Sequence, residues 1–266
     1  MVQTHDIAFP DWSTRVIWGG RGAEHLVLLH ILGGDATVWT DVMAQLPESF
    51  SALAFDLRGQ GRSTSVRRPF TLELLADDVI AVLRAEGIGS CTLVGVAFGG
   101  TIAQLVATRA SDLVANLVLM DTAASRTAQS RQTLLDRADL AESGGLGELT
   151  RAAIGRWFPP AVNGPAAAVK QRLEAVMSDT DPGHFAAASR AFADLSLEQN
   201  AAQISCPTLI LVGAEDIAMP VAQSRRLHAL IPNSEMIVLA GVGHCPPVEA
   251  PALVADLIAD FVAGSG

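Results

Sequence analysis

Two kinds of hydrophobic pattern alternate along most of the chain. Continuous apolar runs bounded by turn residues, typical of strands buried on both faces, occur at 26–30, 52–56, 91–95, 117–120, 208–212 and 236–239. Apolar residues at helical spacing occur at 71–86, 98–106, 221–230 and 251–262. A hairpin is indicated at 6–9 and 15–18. This alternation predicts an α/β fold: a mostly parallel sheet of about eight strands with helices on both faces.

The alternation stops between residues 124 and 202. This segment has no strong strand pattern, is rich in alanine, and is broken by Gly144-Gly145, Pro159-Pro160 and Pro182-Gly183. A helical segment of this length is longer than an ordinary connection. We therefore predict that 1–123 and 203–266 form one α/β core domain, and that 124–202 is an inserted helical cap, or lid, over a site.

Composition narrows the possible partners and the location. Of the 266 residues, 50% are hydrophobic and 17% charged, which excludes wholesale disorder. The formal charge is −10 and no Lys/Arg-rich run occurs, so neither a nucleic acid nor a membrane is expected as a partner. Tyrosine is absent, which removes it as an acid, base or nucleophile. Self-association into a homo-oligomer stays open.

The N-terminus lacks a basic region followed by an apolar one, and no apolar run approaches the ~20 residues that span a bilayer. The three cysteines, Cys91, Cys206 and Cys245, show no paired metal-type spacing. Together these features indicate a cytoplasmic protein that needs no metal and no cofactor.

Polar and glycine-rich turns follow four of the predicted strands. One strand runs into Gly95-x-Ala97-x-Gly99 and directly into a helix; others lead to Asp216, to His244, and from His30 into a loop ending at Gly34. Ligands of open α/β sheets bind at the carboxyl ends of the strands. These four turns are therefore expected to meet at one edge of the sheet.

In this order the turns resemble the nucleophile, acid and histidine motifs of the α/β-hydrolase superfamily. Further turns carry the resemblance: Asp56-x-Arg58-Gly-x-Gly61-x-Ser63, His30-x-x-Gly33 followed by Trp39, and Gly243-His244 with Pro247, Glu249 and Pro251. Within the superfamily, the runs 156–160, 181–187 and 32–39 are similar to 3-oxoadipate enol-lactonases. Relatives with that cap also act on other substrates.

The resemblance implies a role for each turn. His244 corresponds to the general base, and Asp216 to the carboxylate that orients it, with Glu215 and Asp121 as rival acids. The oxyanion hole corresponds to the backbone N–H groups of Leu32 and Phe98.

The chain departs from the superfamily at two of these turns. Ile31 stands where a glycine is usual, which narrows the space beside the reacting carbonyl. Residue 97, at the tip of the nucleophile turn, is alanine, so this chain should form no acyl-enzyme. Two origins stay open for Ala97: a serine deliberately replaced by alanine, which we favour because the surrounding motifs survive, and a natural protein that lost acyl transfer.

Three functions fit these motifs. We expect a hydrolase of a small ester or lactone, with Ala97 at the nucleophile position. The alternatives are a serine-independent enzyme using His244 and Asp216 (a cofactor-free oxygenase, lyase or isomerase) and a non-catalytic protein that binds a small molecule.

Candidate substrate contacts lie in the oxyanion loop and the cap. They are Ile31, Trp157 and Arg156, with Arg156 or Arg151 pairing a substrate carboxylate. The alternative is that these cap residues form the hydrophobic core of the cap and that both arginines face solvent. Arg58 in its glycine turn and Gly95-x-Ala97-x-x-Gly100 faintly suggest phosphate and dinucleotide binding, but turn formation explains both better.

Overall fold

The computed structural model describes residues 2–66, 69–158 and 167–265. Its nine strands form one sheet: β1 (Gln3–Ala8), β2 (Trp12–Gly20), β3 (Glu24–Leu29), β4 (Phe50–Phe55), β5 (Thr64–Ser65), β6 (Cys91–Val96), β7 (Val114–Met120), β8 (Thr208–Gly213) and β9 (Ser234–Leu239). The order is β1-β2-β4-β3-β6-β7-β8-β9, with β5 paired to β2. The predicted α/β fold with a mostly parallel sheet is confirmed.

The buried centre of the sheet explains why its strands could be found from apolar runs alone. Strands β4, β6 and β8 are buried at every residue, and the ladder from β4 through β3 and β6 to β9 is parallel throughout. The hairpin is longer than predicted, because antiparallel pairing reaches from Gln3 opposite Trp18 to Ala8 opposite Ser13. Backbone pairing there continues through polar residues that leave no apolar pattern.

The described residues form α-helices between and after the strands. They are α1 (Thr40–Met43), α2 (Leu72–Ala85), α3 (Phe98–Arg109), α4 (Ala128–Glu142), α5 (Leu146–Trp157), α6 (Ala167–Asp179), α7 (Pro182–Ala193), α8 (Glu198–Ala201), α9 (Val221–Leu230), α10 (Pro246–Glu249) and α11 (Pro251–Gly264). The side chain of Thr71 caps α2 by accepting a hydrogen bond from Leu74 N–H, which fixes its start one residue after the predicted position. Of the helices described, none combines the length and apolarity that a bilayer span requires.

Helices α4 to α8 lie between β7 and β8, and we call residues 124–202 the helical insertion. Its two ends are held together by a bridge between Ser125 and Ser196. Within it, 159–166 lie outside the described residues, and with them the predicted break at Pro159-Pro160. The insertion contacts the rest of the protein through His184 Nε2, 3.1 Å from Ser65 O, and through Trp157 O, which accepts a hydrogen bond from His244 N–H.

Close packing of α3 against β3 depends on the absence of a side chain at Gly99. A Cβ there would overlap the carbonyl of Leu29 and lie 2.7 Å from His30 O, and both obstacles are backbone. The helix can therefore approach the sheet only because residue 99 is glycine.

We expect Gly99→Ala to lower the free energy of unfolding by about 1–3 kcal/mol, because the strand and the helix must separate. Gly155→Ala is the matched control, since Gly155 lies in α5 with no heavy atom within 4 Å of the added methyl. That variant should gain about 0.5–1 kcal/mol from helix propensity. Urea denaturation followed by circular dichroism measures both, and equal effects would contradict the packing argument.

Candidate functional site

The turn between β6 and α3 holds Ala97 in a strained conformation. Its φ of 49° and ψ of −107° are unusual for a residue with a side chain. Three hydrogen bonds hold it there: Ala97 N–H donates to Met120 O (2.8 Å), and Ala97 O accepts from Thr101 N–H (3.0 Å) and Thr122 Oγ1 (2.9 Å). The turn therefore presents residue 97 at the carboxyl edge of the sheet, between the last residue of a strand and the first of a helix.

His244 and Asp216 lie in contact at the same edge, where the loops after β9 and β8 meet. His244 Nδ1 is 2.7 Å from Asp216 Oδ2, and both residues are buried. Asp216 Oδ1 accepts hydrogen bonds from Ala218 N–H (2.7 Å) and Met219 N–H (2.9 Å). With Nδ1 bound to the carboxylate, Nε2 is the ring nitrogen that remains for a reaction.

Asp216 is held in its charged form. Burial by itself raises its pKa, but the charge and hydrogen bond of His244, with further hydrogen bonds, outweigh burial, so the pKa of Asp216 lies below its ordinary value. The histidine loop is held in turn by Glu249, whose carboxylate accepts from Gly243 N–H and Cys245 N–H, both at 2.8 Å. A charged carboxylate on Nδ1 keeps the imidazole in the tautomer that leaves Nε2 free to accept a proton.

The two rival acids have different positions. Glu215 is exposed, and its backbone, not its side chain, bonds the loop, through N–H to Val242 O. Asp121 is fully buried after β7, with φ of 47°; its Oδ1 accepts from Gly213 N–H at 3.0 Å. Its Oδ2 receives no hydrogen bond from the described residues. The acid that contacts His244 is therefore Asp216.

Burial and the neighbouring Asp216 favour the neutral form of the Asp121 carboxyl. Burial, followed by repulsion from Asp216, raises the pKa of Asp121 well above its ordinary value. A protonated Oδ2 can donate its hydrogen toward Asp216, which gives that oxygen a partner.

Asp121→Asn is expected to stabilise the protein at neutral pH, because an amide keeps the acceptor for Gly213 and the donor toward Asp216 and does not titrate, whereas the raised pKa of the carboxyl favours the unfolded state there. A carboxyl with a raised folded-state pKa favours the folded state at low pH, and that contribution is lost as the pH rises. The gain in the free energy of unfolding over the unaltered chain should therefore be near zero at pH 3 and should grow as the pH rises above 3.8, the ordinary pKa of aspartate. Urea unfolding at several pH values measures the difference in the free energy of unfolding, and a difference that does not change with pH would contradict a raised pKa of Asp121.

Asp121, Asp216 and His244 form the one cluster in the described ranges whose spacing could enclose a metal ion. One atom of each lies within 4.8 Å of the others. His244 and Asp216 are already bound to each other at hydrogen-bond distance, which leaves no gap for an ion between them. The expectation of a metal-free and cofactor-free protein stays a prediction.

Two backbone N–H groups are candidates for the oxyanion hole: that of Phe98, next to Ala97 in the chain, and that of Leu32, in the loop after β3 that lines the same cavity as Ala97. Phe98 is the first residue of α3, so its N–H has no acceptor within the helix. Leu32 N–H donates to no acceptor in the described part of the chain. The loop is closed by Gly33 N–H, which donates to Gln60 Oε1 at 2.8 Å, and Ile31, buried beside it, lines the same cavity.

His30 and Arg58 serve the scaffold. His30 Nδ1 is 2.8 Å from Ile31 O and its Nε2 accepts from Leu57 N–H at 2.9 Å, so both ring nitrogens are occupied. Arg58 is buried, with Nε and Nη2 on the two carboxylate oxygens of Asp78 at 2.6 and 2.7 Å. An arginine held in this way cannot reach out to a phosphate.

A cavity of about 220 Å³ lies between the carboxyl edge of the sheet and the helical insertion. Ala97, His244, Ile31 and Leu32 line it from the sheet side. From the insertion it is lined by two of the predicted contacts, Trp157 and Arg156, whereas Arg151 on the same helix is exposed.

Arg126 and Arg137 also line the cavity, and neither was predicted from the sequence to do so. A signal for each was present. Arg126 follows shortly after a predicted strand, near the carboxyl edge. Ser130, Thr133, Leu134 and Arg137 fall at helical spacing, i, i+3, i+4 and i+7, and all four line the cavity.

Comparisons of the sequence and of the structure with known proteins agree on one family. The model of the alpha/beta hydrolase fold family matches residues 24–251. The chain is 27% identical to 3-oxoadipate enol-lactonase 2 of Acinetobacter baylyi over 235 residues, which cover 88% of this chain and 86% of that protein. It is 26% identical to a protein of Caulobacter sp. that carries a carbamate hydrolase name, over 93% of this chain and 94% of that protein.

Solved structures agree. The enol-lactonase of Burkholderia xenovorans superimposes with a TM-score of 0.87 at 26% identity, covering 95% of this chain and 97% of that one. A thermophilic esterase of Thermogutta terrifontis, solved with malate bound, gives 0.89 at 26% identity and 99% coverage of both chains.

Proposed function

The chain belongs to the alpha/beta hydrolase fold family, and from that premise we propose that its site is built to hydrolyse a small ester or lactone. The observation that carries the proposal is the 2.7 Å contact of His244 Nδ1 with Asp216, together with the cavity that His244 and Ala97 both line. A base, its orienting acid, a strained strand–helix turn and two backbone N–H groups are the parts that acyl transfer requires.

The mechanism of the form with serine at residue 97 follows from these positions. The hydroxyl attacks the carbonyl carbon while His244 Nε2 accepts its proton, and Asp216 stabilises the imidazolium. The N–H groups of Leu32 and Phe98 stabilise the oxyanion. His244 then gives the proton to the leaving alkoxide, and water activated by the same histidine releases the acid from residue 97.

With Ala97 the first step has no nucleophile. The methyl group occupies the tip of the turn, so no acyl-enzyme forms, and residual hydrolysis would rest on water activated by His244. We propose that Ala97 inactivates a site whose other parts are intact, whether it arose by deliberate replacement or by natural loss.

The size of the cavity and the names of the relatives favour a small substrate. At about 220 Å³ the cavity lies below the ~300–1,000 Å³ that is typical of pockets for drug-sized ligands. The enol-lactonase relatives favour a lactone, and Ile31, Arg156 and Trp157 are the contacts proposed for it. We propose 124–202 as the cap that closes this cavity over a core of 1–123 and 203–266. A cytoplasmic location stays a prediction.

A second candidate rests on the same pair of residues. His244 and Asp216 are in contact although residue 97 offers no hydroxyl. A base beside two oxyanion donors could abstract a proton from an acidic carbon, as a cofactor-free oxygenase, lyase or isomerase would require. Restoring the hydroxyl by Ala97→Ser separates the two functions, because hydrolysis by acyl transfer needs it and proton abstraction does not.

A further inference from the structure

Three arginines from the helical insertion meet in the cavity without an acidic partner. Arg126 lies just before α4, Arg137 on α4 and Arg156 on α5, and all three line the cavity with Ala97 and His244. Among the described residues, no Asp or Glu forms an ion pair with any of them. Other arginines of the insertion, such as Arg131 and Arg190, do have carboxylate partners.

Arg126 is fixed in place by groups that carry no charge. Its Nε donates to Phe192 O (3.2 Å), its Nη1 to Ser130 Oγ (3.0 Å), and its guanidinium lies 3.7 Å from the centre of the Phe192 ring. Its Nη2 is buried and has no acceptor in the described part of the chain. A buried donor without an acceptor is unfavourable. An acceptor supplied by a ligand would remove this cost for Nη2 of Arg126.

The three charges act on one another. Burial, then repulsion by Arg137, lowers the pKa of Arg126 to about 10, and burial, then repulsion by Arg156, lowers the pKa of Arg137 to about 10. Burial also lowers the pKa of Arg156. With pKa values near 10, Arg126 and Arg137 stay protonated at neutral pH. A chain of net charge −10 thus keeps an uncompensated positive cluster beside its candidate site.

We infer that the substrate of this site carries at least two carboxylates in addition to the carbonyl that reacts. The inference rests on the proposed function, since it assigns a charge to the ester or lactone proposed above. A single carboxylate, paired with one guanidinium fork, would leave the remaining arginines repelling each other in a confined space. Two carboxylates can engage all three, and their fixed separation from residue 97 would hold the carbonyl over the oxyanion donors.

A set of esters on one skeleton tests the inference in the unaltered chain, which lacks the nucleophile and therefore binds without acylation. The trimethyl, dimethyl and 1-methyl esters of propane-1,2,3-tricarboxylic acid carry no, one and two carboxylates. Titration calorimetry should show about tenfold tighter binding for each carboxylate added, the effect of one further charge-assisted hydrogen bond. Equal affinity for the three esters overturns the inference. Inorganic phosphate binding more tightly than the 1-methyl ester overturns the choice of carboxylates.

Matched variants separate a built site from the general field of the protein. Arg137→Gln and Arg156→Gln should each weaken binding of the 1-methyl ester about tenfold and binding of the trimethyl ester much less. Arg151→Gln is the control, because it removes the same charge from the exposed face of the helix that carries Arg156. A loss in Arg151→Gln equal to that in Arg156→Gln overturns the inference. Circular dichroism checks that each variant is folded.

The same esters offered to the Ala97→Ser variant distinguish failure of the inference from failure of the proposed function. Hydrolysis of the trimethyl ester as fast as the 1-methyl ester, with no effect of Arg156→Gln, leaves the hydrolase standing and overturns the charge assignment. Charge-ordered binding without any hydrolysis supports the assignment for a binding site and rejects the hydrolase.

Discussion

Ala97→Ser is expected to raise the rate of hydrolysis of small activated esters and five-membered lactones by about 10⁴- to 10⁶-fold over the unaltered chain. The gain is large because the turn, the base, its acid and the two backbone N–H groups are already in place. Adding one oxygen supplies the only reactive atom that this set lacks. A burst of product equal to the enzyme concentration, followed by steady turnover, would report the acyl-enzyme directly.

The control is the double variant Ala97→Ser with His244→Ala. It keeps the new hydroxyl but removes the base, so its activity should return to near that of the unaltered chain. Because Ala97 already adopts its φ of 49°, serine should be tolerated there, and unchanged urea unfolding would show it. A folded Ala97→Ser variant that hydrolyses neither small activated esters nor five-membered lactones would contradict the proposed function.

Asp216→Asn, made in the Ala97→Ser protein, is expected to lower kcat about 10⁴-fold while leaving the fold intact. The carboxylate accepts the Nδ1 proton at 2.7 Å; an amide can present its N–H₂ group instead and favour the wrong tautomer of His244. Its lowered pKa keeps Asp216 ionised as the pH falls below neutral, so the assay can be run across mildly acidic pH without protonating it.

Asp121→Asn in the same background is the matched control, with the same chemical change one strand away. Asp121 forms no hydrogen bond with His244, and asparagine mimics its protonated form, so kcat should change by no more than a few-fold. Steady-state kinetics of both variants decide between the two acids. A 10⁴-fold loss in Asp121→Asn with little loss in Asp216→Asn would reverse the assignment.

Much of the fold could be predicted because burial on both faces leaves a continuous apolar run. Strands β4, β6 and β8 were found for that reason. Strand β5, two polar residues paired to β2, was missed, because backbone hydrogen bonds with β2 define it and its side chains leave no pattern. The same reason explains the polar ends of the β1–β2 hairpin.

The candidate site divides in the same way. The motifs predicted that Ala97, His244 and an acid would meet at the carboxyl edge of the sheet, because strand ends converge there whatever the loops do in detail. Which acid touches the imidazole depends on distances between loops far apart in the chain. Asp216 Oδ2 at 2.7 Å, an exposed Glu215 and a buried Asp121 could be told apart only in the folded protein.

The sequence by itself determined the α/β class and the alanine where a hydroxyl is expected, since each depends on local pattern or residue identity. Only the tertiary structure decided that Arg156 lines the cavity while Arg151 is exposed, and that Arg126 and Arg137 join it. The physical reason is that the residues around an arginine in the sequence do not show whether its side chain faces solvent or a cavity. That depends on which distant segments of the chain pack against it in the folded protein.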